Sequence, residues 1–415
     1  MQAIKWATLL FGAIFVVVVA GAINAPHLYY MAAILLTLPG ISYLLGALSL
    51  YQITFRRTVP SVAWAGEENE ILYVAENPTR IARYFLSCRE PLPDWIEPLS
   101  DQPPLFNASA RSTTQISYPI RLLRRGVYPL EGFDAVATDP LGVFSFTRTV
   151  TLEEELVVYP TPQHVRHWQM SGAERYGWQE FTVVATRGSS VDPDGVRAYV
   201  PGDPLRRIHW RQTARTGNLS VIEFEEPQSI QIYLLLDQEA GHNIGSGVDT
   251  TFEYGVRFCA SVAWQVIQQN ASVRMVGIDA EGIPEIDAFP NARGEMQLMR
   301  ILESLARVEP TRHSPIATLV QETAGNVPNG STLVIVTSNP DPHLAESVLL
   351  HRAGGVLPIV VYIDPNSFAK RPDTALETKQ KDFLQRILGA GAKVFIVRYQ
   401  SDGSLFPEGI FDGDA

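Results

Sequence analysis

Between Ile4 and Ile23 the chain runs for twenty residues with one charge, Lys5, near its start. A short interruption, "NAPHLYY", leads into a second apolar run from Met31 to about Ile53. A helix needs about 20 such residues to cross the hydrocarbon core of a bilayer. Trp6, Tyr29, Tyr30 and Tyr51 fall at the edges of the runs, where an interfacial aromatic belt belongs. Ala20-Gly21-Ala22 resembles a signal-peptide cleavage site, but the first run exceeds the usual apolar core of about 7–15 residues and a second run follows at once. Residues 1–55 are therefore expected to form a two-helix transmembrane hairpin. Lys5 precedes it, Arg56-Arg57 follow it, and its connecting loop carries no Lys or Arg, so the positive-inside rule places both ends in the cytoplasm. The Pro39-Gly40 pair reads as a kink of the kind tolerated in lipid.

The chain as a whole is acidic. Its 415 residues carry a formal net charge of −11, which argues against broad binding to nucleic acid or anionic headgroups. Two cysteines, Cys88 and Cys259, lie far apart and support neither a disulfide framework nor a zinc site. They fit a reducing cytosol, each as a small core hydrophobe.

From 56 to 161 the pattern is strand-like. β-Branched and aromatic runs such as "ENEILYVAEN", "RYFLSCRE", "TTQISYPIRL", "GVFSFTRTV" and "EELVVYP" alternate with turn punctuation. Strands at that spacing, with no helical period between them, predict an all-β sandwich. "DPLG" at Asp139–Gly142 suits a turn, with Asp first and Pro second. Residues 162–186 read as a linker, and its His164 and His167 lack a third ligand at metal-binding spacing.

The period changes at 228. "SIQIYLLLD", "SVRMVGID", "STLVIVTS", "VLPIVVYID" and "AKVFIVRY" are continuous apolar runs, as strands buried on both faces require. Helical patterns lie between them, at "TFEYGVRFCASVAWQVIQQN" and about 293–308, 314–324, 341–353 and 374–389. That alternation predicts a doubly wound α/β domain over 228–400, followed by an acidic tail at 401–415. Ligands of such sheets bind beyond the carboxyl ends of the strands, where Asp237, Asp279, Ser338 and Asp364 fall.

Between the two domains, residues 187–227 include "GDPLRRIHWRQTARTG". Asp203 suits an N-cap, Pro204 the first helical position and Gly217 the terminator, so a helix is expected from Leu205 to about Thr216, followed by the strand "LSVIEFE". Arg207, Arg211 and Arg215 then form one stripe, and like charges at that spacing oppose each other. They need something anionic. Asp192, Asp194, Glu223, Glu225 and Glu226 would supply it internally; a partner's acidic surface, a phosphate or a headgroup layer would supply it from outside. Trp210 reads as a packing residue. His209 has no second acid–base group or nucleophile at a meaningful spacing, so no catalytic residue is assigned.

"VRAYVPGDPLRRIHWRQTARTGNLSVIEFE" closely resembles the signature of the bacterial family called domain of unknown function 58, and "RRGVYPL" followed by "DPLGVF" is similar to that family's upstream segment. The resemblance implies membrane spans, a sandwich, the signature and a von Willebrand factor A-like domain. It also implies a MoxR-type AAA+ ATPase as partner, an association with transglutaminase-like membrane proteins, and no established enzymatic activity. Von Willebrand-like domains often hold Mg²⁺ on an Asp-x-Ser-x-Ser loop; here the corresponding residues are Asp237-Gln238-Glu239-Ala240-Gly241, with both serines absent. Asp237 and Glu239 are thus only weak metal candidates, and the expected cofactor is none. The expectation is a non-enzymatic adaptor in the bacterial inner membrane with cytoplasmic domains. Arg197, Asp203, Arg206, Arg207, His209, Trp210, Arg211 and Arg215 would form its partner surface. The rivals are a metal-dependent adhesion module and, further off, a hydrolase.

Overall fold

The structure, a computed structural model, describes residues 2–23, 26–165, 193–200, 208–224, 231–269, 271–276, 294–369, 371–400 and 407–410. The chain divides into two compact units, one of residues 1–161 with 305–307, the other of 162–304 with 308–415.

The first unit opens with two helices, α1 (Gln2–Ile23) and α2 (Pro26–Ser49). His27–Ser49 is long and apolar enough to cross a membrane; in α1 the apolar run among the described residues, Leu10–Ile23, is shorter. α2 remains helical through Pro39. Nine strands complete the unit: β1 (Thr54–Thr58), β2 (Ala63–Trp64), β3 (Glu68–Asn77), β4 (Arg83–Arg89), β5 (Ile96–Pro98), β6 (Leu105–Ala108), β7 (Ser112–Leu122), β8 (Gly126–Thr138) and β9 (Ser145–Tyr159). They form one sheet of order β1-β3-β7-β5 and another of order β2-β9-β8-β4-β6. Alternating inward residues of both sheets, among them Tyr73, Ile120, Leu86, Cys88, Phe133 and Leu156, share one core. Burial pushes the Cys88 thiol up to about 12, so it behaves as the apolar filler expected of it.

Two sequence expectations change here. "GVFSFTRTV" and "EELVVYP" belong to one continuous strand, β9, which carries an extra residue in a bulge between Thr151 and Glu154, opposite Leu130 and Gly132 of β8. Gly132 has φ +144°, and a Cβ there would collide with the Val150 carbonyl. Arg57, expected as a flanking charge, points inward with no exposed side-chain surface. The alternation of β1 dictates this, since Phe55 and Arg57 share the buried face. Each of its three guanidinium nitrogens has a partner: Nη1 with Glu90 at 2.7 Å, Nε with Glu154 at 2.7 Å, and Nη2 donating to the Leu130 carbonyl at 2.7 Å. Tyr73 donates to the other Glu90 oxygen.

α2 is seated on the β8–β9 turn. Tyr43 meets Phe144 and Phe146 edge-on at 5.2 and 5.1 Å between ring centroids. Gly46 lies so close to Phe146 that a Cβ would stand 2.6 Å from its ring. Asp139, the first residue of "DPLG", is buried and accepts the Ser42 hydroxyl proton and the N–H groups of Leu141 (3.1 Å), Val143 (2.7 Å) and Phe144 (2.6 Å). Burial alone would raise its carboxyl; these donors outweigh burial and hold it below the usual carboxylate range. The turn predicted there is present, and it also fastens the helix.

In the second unit, β10 (Pro193–Ala198) pairs antiparallel with β11 (Ser220–Phe224), and α3 (Trp210–Thr216) lies between them in sequence. The α/β elements are β12 (Gln231–Leu236), β13 (Gly245–Ser246), β14 (Asp249–Thr250), α4 (Thr251–Gln268), β15 (Ser272–Val276), α5 (Glu295–Arg307), α6 (Ile316–Glu322), β16 (Thr332–Thr337), α7 (Leu344–Ala353), β17 (Leu357–Ile363), α8 (Pro365–Phe368), α9 (Thr374–Gly389), β18 (Lys393–Val397) and β19 (Pro407–Ile410). The main sheet has order β15-β12-β16-β17-β18-β19, parallel except for β19. β19 corrects the reading of 401–415 as a simple tail: Pro407–Ile410 covers the open backbone edge of β18. The four residues 162–165 of the predicted linker are described, and they lean on α4, with the Gln163 N–H donating to Ser261 Oγ at 2.9 Å and Val165 buried. His164 is exposed, and His167 lies outside the described residues.

Candidate functional site

The signature helix is shorter than its sequence predicts. Ile208 is held in an extended bridge to Val221, so the helix starts only at Trp210. Its N-cap is His209 rather than Asp203: His209 Nδ1 accepts the Gln212 N–H at 3.0 Å, while the His209 N–H donates to the Ser220 carbonyl at 2.8 Å. Gly217, at φ +75°, ends the helix as expected. Thr213 Oγ1 accepts the Ser220 N–H at 3.1 Å, tying helix to strand.

This scaffold turns three side chains outward. Trp210 is 67% exposed, which overturns its reading as a packing residue: the buried anchor is its neighbour Ile208, and a helix of seven residues has no second face to bury the indole. Arg211 and Arg215, one turn apart, are exposed. Among the described residues, neither makes an ion pair. Arg197 lies on β10 opposite Val221. Asp203, Arg206 and Arg207, with Asp192, Glu225 and Glu226 of the internal-clamp alternative, lie outside the described residues.

The second candidate place is the carboxyl edge of the parallel sheet. Asp237 follows β12; its Oδ2 accepts the Thr337 hydroxyl proton at 2.6 Å and its Oδ1 the Glu239 N–H at 3.0 Å. Burial raises its carboxyl, and these two donors only partly offset the rise. Asn339 Nδ2 donates to Glu239 Oε2 at 2.8 Å, and Ser338 Oγ donates to the His242 carbonyl at 3.0 Å. Asp364 caps α8 through the Asn366 N–H and meets Arg398 at 3.3 Å, while Asp279 lies outside the described residues. Each Asp237 oxygen accepts from a protein donor, and the nearby serine hydroxyl is turned to a carbonyl. Among the described residues no group of three or more His, Cys, Asp or Glu is placed to hold a metal ion.

Beside this edge runs a groove of about 900 Å³ between α6, α7, α9 and the loop after β16. Glu239, Asp341, Glu346 and Asp382 line it against Lys379, His242 and His343. The "TSNPD" stretch reads in sequence only as a departure from a metal loop, yet it supplies Thr337 and Asn339 as donors and Asp341 to the groove. No local signal announces that role, because Thr337 meets Asp237 across a hundred positions of chain.

An α/β unit with a groove at its strand ends, joined to a β unit and an apolar helix, defines a class of multidomain protein. Residues 195–350 match the family described as "Protein of unknown function DUF58", and that stretch of the chain is similar to the family. It is 25% identical over 292 residues to the "Uncharacterized protein YeaD" of Bacillus subtilis (strain 168), covering 69% of this chain and 67% of that protein. Among solved structures, E. coli alpha-2-macroglobulin aligns with 26% of this chain and 7% of its own length at 16% identity and TM-score 0.21. A FixG-related protein from Vibrio parahaemolyticus aligns with 26% of this chain and 94% of its own at 10% identity and TM-score 0.17. At such scores neither bears on fold or function.

Proposed function

We propose that the protein is a non-enzymatic adaptor anchored in the bacterial inner membrane by a two-helix hairpin, with a β-sandwich and a von Willebrand factor A-like domain in the cytoplasm. Its partner is a MoxR-type AAA+ ATPase, with a transglutaminase-like membrane protein as a further associate. The observation that carries this reading is the outward display of Trp210, Arg211 and Arg215 on the family's signature segment. An exposed tryptophan flanked by arginines has the composition of an interface hot spot. Lys5 and Arg56 flank the apolar helices and support the cytoplasmic orientation.

The test is a pull-down from detergent-solubilised native membranes, comparing wild type with Trp210→Ala/Arg211→Glu and identifying retained proteins by mass spectrometry. The wild type should retain an AAA+ ATPase and the variant should lose it, with the melting temperature shifted by only about 2 °C, as exposed positions predict. A large loss of stability would instead make these residues internal clamps. If neither protein retains an ATPase, the proposed partner is wrong.

A further inference from the structure

The end of the β unit that receives α2 is chemically unlike the rest of the chain. α2 leads to β1, whose first residue Thr54 pairs with Glu76 near the end of β3. Asn77 at that end pairs with Ser112 at the start of β7, and Leu86 of β4 pairs with Ala137 near the end of β8. Four connections therefore gather there: 50–53, 78–82, 109–111 and 139–144. Their exposed charged side chains are Arg80 and Arg111, and their one carboxylate, Asp139, is buried. In a chain of net charge −11 this end is cationic. It is also apolar, because Ile81 is 63% exposed and Leu141 stands out from the turn.

α2 indicates what covers these residues. Ser42, Tyr43 and Gly46 seat its last two turns on the β8–β9 turn, yet Leu44, Leu45 and Leu48 of those same turns are exposed. If lipid stopped at Ile41, the remaining helix from Pro26 would be about 24 Å long, short of the roughly 30 Å hydrocarbon core, and three leucines would stand in water. Lipid that reaches Leu48 also reaches the turn fastened beside it. The geometry points to this end of the β unit being a lipid-contact face: Ile81 and Leu141 enter the boundary between headgroups and acyl chains, and Arg80 and Arg111 take anionic phospholipid headgroups. This inference rests on the membrane-anchored reading proposed for the chain.

The test uses the full chain reconstituted in phosphatidylglycerol-containing vesicles, with single cysteines introduced as Ile81→Cys, Leu141→Cys, Leu36→Cys in the middle of α2, and Glu67→Cys at the opposite end of the β unit. Cys88 and Cys259 are buried, so a fluorophore labels the new thiol selectively. Labels at 36, 81 and 141 should be quenched by a nitroxide-bearing lipid and shielded from aqueous iodide, with the reverse at 67. Quenching at 36 alone overturns the lipid face and leaves the anchor standing; no lipid quenching at 36 removes the anchor and with it this inference. Labels at 81 and 141 that are shielded from both quenchers would mean that protein covers this end, which also overturns it. Arg80→Gln with Arg111→Gln should lower the ratio of docked to undocked β unit by about fivefold per arginine in anionic vesicles and leave it unchanged in phosphatidylcholine. An equal response in both lipids would remove the headgroup contact.

Discussion

Asp139 and Asp237 each stand one residue beyond a core strand, and both are buried. Four donors reach Asp139: the Ser42 hydroxyl and three backbone N–H groups. Two reach Asp237. Burial raises both carboxyls, but at Asp139 the donors win and the group falls below the carboxylate range, while at Asp237 burial wins. Asp237 lies deeper in the protein than Asp139 and receives fewer donors, so burial and hydrogen bonding together set the charge of each acid. One aspartate pins a membrane-length helix to its domain. The other is buried at the carboxyl edge of the parallel sheet, two residues before Glu239, which lines the groove.

The comparison breaks most visibly at Asp139. Asp139→Ala removes the acceptor of the buried Val143 N–H and of the part-buried Leu141 and Phe144 N–H groups and should cost on the order of 2–4 kcal/mol, read as a lower unfolding transition of the β unit in the detergent-solubilised chain at pH 7. Because the folded carboxyl lies below its unfolded value, its contribution is present above the ordinary carboxylate range and is lost as pH falls through the folded value. The gap between wild type and variant should accordingly narrow in acid. A cost under about 1 kcal/mol would mean that water already serves those donors.

Gly46→Ala tests the fastening from the helix side. Its Cβ would stand 2.6 Å from the Phe146 ring and 3.1 Å from Asp139 Cβ, and overpacking of this kind costs about 1–3 kcal/mol. An unchanged β-unit transition would show that the helix is not seated on the turn.

At Asp237 the sign reverses. Asp237→Asn keeps the Glu239 N–H bond and lets Nδ2 donate to Thr337 Oγ1, whose proton can turn to the Asn339 carbonyl already 3.3 Å away. A folded carboxyl raised above its unfolded value contributes its stability at low pH and loses it as pH rises through the folded value. The variant should therefore gain about 1 kcal/mol at pH 7, and the gain should fade as pH drops into the carboxylate range. A loss at pH 7 would reveal a cation holding Asp237 ionised.

The smallest effect is expected from magnesium. Millimolar Mg²⁺ should move the α/β transition of wild type and of Glu239→Gln by less than about 1 °C, because a ligand stabilises only as far as it binds the folded state. A rise of several degrees that Asp237→Asn abolishes would establish a metal site.

Much of the architecture is written locally. The apolar run of α2 and the continuous strands of the parallel sheet follow from hydropathy and period, and the helices at 295–307 and 374–389 sit where periodicity places them. The boundaries that fail do so for tertiary reasons. Helix α3 starts late because Ile208 is claimed by Val221, and Pro407–Ile410 becomes a strand because β18 leaves an edge to cover. The candidate site was legible in part: the basic signature segment was visible as a cluster, but the exposure of Trp210 depends on which neighbour the fold chose to bury.

Sequence alone determined the elements, the sign of the overall charge and the family signature, since propensity, periodicity and motif are read within one stretch of chain. The fold decided which of those charges are buried and who meets them. Arg57 became an interior cation because β1 turns it toward Glu90 and Glu154, and Asp139 became a pin because Ser42 arrives from a helix nearly a hundred positions earlier. Asp237 stayed under-donated because only Thr337 and one backbone N–H reach it. Hydrogen-bond donors act over about 3 Å, and only tertiary structure brings residues distant in sequence to that range.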